Sequence, residues 1–217
     1  MSRKRVAVLI SGRGSNMAAL IEAAKDKSYP AEIALVLSNK ADAGGLVTAR
    51  DNDIATEVVD HTPFGKDRAA FDAAMQSKLE AHRIDLVCLA GFMRLLSPGL
   101  VALWQNRMLN IHPALLPAFK GVDTHARALN AGAKIHGATV HFVVPEMDAG
   151  PIVMQGAVAV RPDDTEASLS ARVLAVEHRI YPAALKLVAE ERVRVVENRC
   201  LIDGIPVPDT ASLLPVP

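Results

Sequence analysis

The sequence predicts an α/β fold, a doubly wound and mainly parallel sheet with a C-terminal antiparallel excursion. Three observations predict it. Short apolar runs rich in Val, Ile and Leu alternate with helical patterns through the first half, a glycine loop joins the first run to the first helix, and after His112 two extended segments follow one another directly. Continuous apolar runs of strand length read as strands covered on both faces. Strand–helix alternation reads as a parallel sheet with right-handed crossovers.

In chain order, 5–11 is the first strand and ISGRGSN turns it into a helix at 16–25. A strand at 31–38, a helix at 46–52 and a strand at 55–59 follow. The helix at 68–82 has the clearest pattern, with Ala69, Phe71, Ala74, Met75, Leu79 and Ala81 near a 3.6-residue period and charges elsewhere. A strand at 84–90, a helix at 98–104 and a strand at 108–112 complete the parallel part. Segments 136–144 and 151–160, joined by PEMDAG, form the antiparallel excursion. A long helix at 165–187 is capped by Asp164 or Thr165, with Ala167, Leu169, Ala171, Val173, Leu174, Val176 and Leu185 on its apolar side. Segments 194–197 and 200–202 make a closing hairpin. Residues 1–203 therefore read as one domain, and 204–217, with Pro206, Pro208, Pro215 and Pro217, as an irregular tail.

Composition narrows the function classes. Half of the 217 residues are apolar and 22% are charged, which excludes a disordered chain. Lys and Arg total 24 against 24 Asp and Glu, leaving no positive surplus to hold nucleic acid or an anionic membrane. Small-molecule partners, or a second copy in a homodimer, fit better. The apolar run 6–10 leads straight into glycine, too short for a signal peptide or a membrane span. Cys88 and Cys200 lie too far apart in sequence for a C-x-x-C pair. A reducing, cytoplasmic setting is expected.

The loop ISGRGSN places backbone N–H groups and a positive helix end where an anion can dock. A dinucleotide fingerprint started at Gly12 would need its third glycine at Met17, and the second strand ends in Ser38-Asn39-Lys40 rather than in a carboxylate. What remains suits one phosphate, with Gly14 allowing close approach and Ser15 and Asn16 as donors. The plain alternative is a tight turn in which Ser15 or Asn16 caps the helix.

Asn110 and His112 are two apart on a predicted buried strand, so both face one side at its carboxyl end, where α/β sheets collect ligands. An amide beside an imidazole can stabilise an oxyanion and move a proton, though a hydrogen-bonded core pair would look the same. Asp148 sits in the turn MDAGP, where an aspartate commonly caps its own backbone. His136 and His141 fall on opposite faces of their strand, and H-E-x-x-H is absent, so no metal is expected.

ISGRGSN, LAGFMRLLSP at 89–98, NIHPALLPAFKG at 110–121, HGATVHFVV at 136–144 and MDAGPIVMQ at 147–155, in this order, resemble the phosphoribosylglycinamide formyltransferases, folate-dependent enzymes of purine synthesis. The resemblance covers about Arg5 to Asp203. It implies a Rossmann-like formyltransferase fold and transfer of a formyl group from 10-formyltetrahydrofolate to the amine of 5'-phosphoribosylglycinamide. It also implies residue roles. Gly14, Ser15 and Asn16 match the phosphate-holding positions, and Glu177, with Leu174, Ala175 and Val176, matches the segment that binds the ribose side. Met93, Arg94, Leu95 and Leu96, with Val144, Pro145, Glu146, Met147 and Asp148, match the lining of the pterin pocket. Asn110 touches folate as well, and Arg68 matches a further folate contact. Asn110, His112 and Asp148 match the catalytic trio.

Those residue types also suit the chemistry without the family. An amine attacking a formyl carbon develops a tetrahedral oxyanion, to which Asn110 and protonated His112 can donate. Asp148 would favour the imidazolium by its charge and shuttle a proton, without acting as a nucleophile. Departures from the resemblance are local. Asp123 stands where relatives carry His, and Ala118-Phe119 where some carry Lys-Tyr; Leu174, Ala175 and Val176 are apolar, which suggests main-chain contacts. A formyltransferase acting on initiator tRNA would carry a further C-terminal domain and a basic surface, and a formyltetrahydrofolate hydrolase a regulatory N-terminal one. Chain length disfavours both, and a non-catalytic phosphate- or nucleotide-binding module is the remaining alternative.

Overall fold

The computed structural model describes residues 3–203, so the expected tail at 204–217 lies outside the described residues. β1 (Lys4–Ile10), β2 (Ala31–Ser38), β3 (Ala55–Val58), β4 (Leu86–Leu89) and β5 (Met108–His112) are parallel. β6 (Ile135–Phe142) and β7 (Ile152–Ala159) continue the same sheet antiparallel, in the order β3-β2-β1-β4-β5-β6-β7. The expected doubly wound sheet and its antiparallel excursion are thus present.

The unbroken apolar runs follow from two covered faces. Along β1, Val6, Val8 and Ile10 pack toward α1 (Ser15–Ala24), α2 (Gly45–Asp51) and α6 (Glu166–Ala189). Ala7 and Leu9 pack toward α3 (Arg68–Ala81) and α4 (Pro98–Leu103), against Phe71, Met75, Leu79 and Leu100. Period-2 alternation that meets apolar residues on both sides leaves no polar position to reveal it. β3 departs from this expectation. It is an edge strand, short and partly exposed, and Glu57 on it reaches the Lys78 ammonium at 3.1 Å and the His82 ring at 3.5 Å.

α6 begins at Thr165, whose side chain accepts from Ser168 N while the Ser168 hydroxyl accepts from Thr165 N, a capping box. Asp164 instead pairs with Arg172, so of the two expected caps Thr165 is the one used. Further along, the fully buried Tyr181 hydroxyl donates to Leu89 O at 3.0 Å and lies 3.2 Å from Leu109 O, tying α6 to the carboxyl end of β4 and the start of β5. α5 (Thr124–Asn130) has no counterpart in the sequence reading, because THARALN buries only Thr124 and Ala128 and so shows no apolar stripe. β8 (Val193–Val196) and β9 (Arg199–Ile202) form the expected hairpin. Their two-residue turn holds Glu197 and Asn198 at φ 48° and 61°, as the twist of a tight hairpin requires.

The turn between β6 and β7 is held by close backbone approach. A Cβ on Gly150 would lie 1.8 Å from Phe142 O, so any side chain must force the turn off β6. Gly150→Ala is expected to cost about 2–4 kcal/mol in urea unfolding. An unchanged midpoint would show that the turn has room to move.

Candidate active site

Two groups of polar residues sit at the carboxyl ends of the strands. The first is at β1. Gly14 takes the left-handed conformation, φ 72°, and starts α1 with no side-chain cap. The plain reading of Ser15 or Asn16 as a cap is therefore not realised. The first-turn N–H groups of α1 lack intrahelical partners and carry the positive end of the helix dipole. Ser15 is exposed, and Gly45 N donates to Gly12 O at 3.0 Å, pinning the loop from α2. Asn16 is buried. Its Nδ2 donates to Glu177 Oε2 at 2.6 Å across the interface with α6, and its Oδ1 has no partner among the described residues. Burial pushes the Glu177 carboxyl up, against the hydrogen bond from Asn16.

Sequence positions far apart, 14–16 and 177, thus meet at one place. Leu174, Ala175 and Val176 do so less directly. They lie in the middle of the unbroken α6, where main-chain groups are spent on helix hydrogen bonds, and Val176 packs onto β7 at Gly156. A main-chain role toward a ligand has no free N–H or C=O there.

The second group is at the end of β5. In the antiparallel pairing, Asn110 stands opposite His141 and His112 opposite Thr139, so all four share a face. Asn110 Nδ2 lies 3.2 Å from His141 Nε2, and His141 Nδ1 lies 2.9 Å from Phe142 O. A carbonyl only accepts, so Nδ1 carries the His141 proton and Nε2 accepts from the Asn110 amide. Burial pushes His141 down, which keeps this ring neutral. The Asn110 amide keeps one N–H and its oxygen for a ligand.

His112 is buried, with Nε2 3.0 Å from Phe119 O and Nδ1 3.5 Å from Asp148 Oδ2. Asp148 takes φ 52°. Its Oδ2 accepts from Gly121 N at 2.8 Å, while Oδ1 lies 3.9 Å from His141 Nε2. The side chain of Asp148 therefore bonds another loop instead of capping its own turn. Sequence reasoning set His141 aside as a poor zinc ligand and passed over the Phe119 carbonyl and the Gly121 N–H. Only the pairing register of β5 with β6 shows His141, and backbone groups leave no mark in a sequence.

The segments matched to the pterin pocket form the rim. Met93 and Leu95 are 72% and 61% exposed and Met147 is 55% exposed, large apolar side chains left bare beside the polar centre. Arg94, Leu96 and Val144 are half-buried and Pro145 is exposed. Met93 N donates to Ser11 Oγ at 2.8 Å, fastening this segment to the end of β1. Glu146 pairs with Lys120 at 3.2 Å. Arg68 opens α3 on the carboxyl rim of the sheet, exposed and without a side-chain bond among the described residues. Asp148 also lines a cavity of about 510 Å³ with Leu116, Pro117, Lys120, Ile152, Arg199 and Cys200. The Leu116–Pro117 bond on its wall is cis. Among the described residues, no three His, Cys, Asp or Glu side chains gather in a way that could hold a metal ion, and no helix is long and apolar enough to cross a membrane.

Burial and the neighbouring His125 ring push His136 down to about 4, and burial pushes His141 and His178 down. Each ring binds a proton more readily in the unfolded chain, whose histidines titrate near ~6.5. This contribution to stability is therefore present above ~6.5 and lost as pH falls toward about 4. Urea unfolding is expected to give a free energy about 1–2 kcal/mol lower at pH ~5 than at pH ~7. Equal values would mean that these rings are protonated in the folded state.

The formyl transferase family profile matches residues 4–185. The phosphoribosylglycinamide formyltransferase of Escherichia coli is 43% identical over 203 residues, covering 94% of this chain and 95% of that protein. The trifunctional purine biosynthetic protein adenosine-3 of Bos taurus is 51% identical over 196 residues, and this chain spans only 19% of its length. Among solved structures, glycinamide ribonucleotide transformylase 1 from Symbiobacterium toebii superposes with a TM-score of 0.89 at 44% identity, over 92% of this chain and 94% of that one. With the matched stretch running through both polar groups at the sheet's carboxyl rim, the chain belongs to the formyl transferase family.

Proposed function

We propose that this chain transfers a formyl group from 10-formyltetrahydrofolate to the amine of 5'-phosphoribosylglycinamide, giving the N-formyl ribonucleotide and tetrahydrofolate in purine synthesis. The observation that carries the reading is the convergence of the Asn110 amide, His112 and Asp148 on one face at the end of β5. An exposed apolar rim lies beside it, and an uncapped helix start carries the second polar group. The names and high identity of the relatives support the same reading.

In this reading the ribonucleotide phosphate lies on the N–H groups of α1 with Gly14, Ser15 and Asn16, and Glu177 holds the ribose side. Neutral Gly14 lets an anion approach the backbone closely. The folate pterin lies against Met93–Leu96 and 144–148, and Arg68 takes a folate carboxylate. The bare apolar side chains suit a flat heterocycle, and the rim arginines suit an anion.

Attack of the amine on the formyl carbon makes a carbon–nitrogen bond and an oxyanion. The free N–H of Asn110 donates to that oxygen, and the positive charge of the protonated His112 ring beside it stabilises it. Collapse breaks the bond to folate N10, the amine gives up one proton and N10 gains one, so the proton count closes through His112 or a bound water. Each His112 nitrogen faces an oxygen, Phe119 O or Asp148 Oδ2, so the doubly protonated ring has an acceptor for each N–H. Asp148 balances that charge and passes the proton on.

The test follows folate absorbance with 10-formyltetrahydrofolate, with and without the ribonucleotide. Tetrahydrofolate forming only when the ribonucleotide is present supports transfer. Equal formation in both means that water is the acceptor and the protein is a hydrolase. No change in either means a binding module.

A further inference from the structure

We infer that Arg127 is a positioning residue for His112 and Asp148, acting through the loop at 119–122; the inference rests on the reading of those two side chains as the reacting pair. The loop touches both. Phe119 O accepts from His112 Nε2 at 3.0 Å, and two residues on, Gly121 N donates to Asp148 Oδ2 at 2.8 Å. A single stretch of backbone therefore sets the tautomer of the histidine and the direction of the carboxylate.

That backbone does not hold itself. Phe119, Gly121 and Asp123 all lie at positive φ, 53°, 84° and 56°, and two of the three carry side chains that disfavour it. Such conformations persist only where the surroundings fix them. Arg127, on α5, is placed to do so. Its Nη1 donates to Lys120 O at 2.6 Å and lies 3.3 Å from Val122 O, the carbonyls on either side of Gly121. Its guanidinium carbon lies 5.7 Å from the centre of the Phe119 ring, and the His136 ring meets Phe119 edge-on at 5.9 Å. The planar guanidinium can span two carbonyls and an aromatic face together, which an ammonium cannot. Lys120 does not compete for this place, because its ammonium goes to Glu146.

The test compares wild type with Arg127→Ala, Arg127→Lys and Phe119→Gly. Phe119→Gly keeps the left-handed backbone and removes the ring under the guanidinium, and it stands in should Arg127→Ala fail to fold. Arg127→Ala is expected to lower kcat about tenfold, since small misplacement of reacting groups is costly, with KM for both substrates within about twofold. Arg127→Lys is expected to recover part of the loss, and Phe119→Gly to show a smaller loss of the same kind. The second readout is the histidine ring nitrogen-15 spectrum at alkaline pH. Wild-type His112 should carry its proton on Nε2, and the Arg127→Ala and Phe119→Gly rings should show a mixture of tautomers. Unchanged kcat, a loss carried by KM alone, or an unchanged ring spectrum in the folded variants overturns the inference. Absence of formyl transfer in wild type would remove the functional reading, while the ring spectrum would still decide whether Arg127 orients His112.

Discussion

Asp148→Asn is expected to lower kcat at neutral pH by about 10²–10⁴-fold, the range for losing a positioned proton-transfer group. The substitution keeps the shape of the side chain, and the amide oxygen can still accept from Gly121 N, so the turn should survive. What disappears is the negative charge 3.5 Å from His112 Nδ1. A carboxylate there accepts from a protonated ring and can take its proton on. An amide is neutral and offers at best one acceptor. The loss should fall on kcat, with ribonucleotide KM little changed, because the residues proposed to hold the phosphate belong to the other polar group. Retention of most turnover at neutral pH would show that Asp148 neither tunes nor shuttles.

The second large effect is on His112. His112→Ala should lower kcat by a comparable factor of about 10²–10⁴ while leaving binding of the ribonucleotide, followed by calorimetry, nearly intact. His112 sits at the end of β5 and its ring nitrogens meet only Phe119 O and the Asp148 carboxylate, which keeps its bond from Gly121 N, so the fold should tolerate its loss. The two effects should not add. In the proposed reaction His112 and Asp148 hand on one proton, so Asp148→Asn in the His112→Ala background should cost far less than it does alone. Full additivity would place them in separate steps.

The sheet and the pair Asn110 and His112 are legible in the sequence for one reason, while Asp148, in a turn that reads as a self-capping aspartate, joins them only through the family resemblance. Parallel strands covered on both faces advertise themselves as apolar runs, and a polar pair such as Asn110 and His112 at the end of such a run stands out. The glycine loop before α1 is legible from Gly14, though the lack of a side-chain cap is not, because the left-handed glycine itself stands at the cap position. β3 reads as a strand covered on both faces, since neither its position at the sheet edge nor the Lys78 partner of Glu57 on α3 can be seen locally. His141 joins the site through the register of two strands 31 residues apart in sequence. The loop at 119–122 acts through backbone atoms, and its support, Arg127, sits on a helix that shows no apolar stripe.

The central claim is that the formyl carbon passes through this centre onto the ribonucleotide amine. It is tested most directly by following a formyl-labelled 10-formyltetrahydrofolate through turnover with excess 5'-phosphoribosylglycinamide. The account predicts that the label appears on the ribonucleotide as its N-formyl derivative, in step with tetrahydrofolate, and that both cease in His112→Ala. Label released as formate, with the ribonucleotide unlabelled, would contradict it.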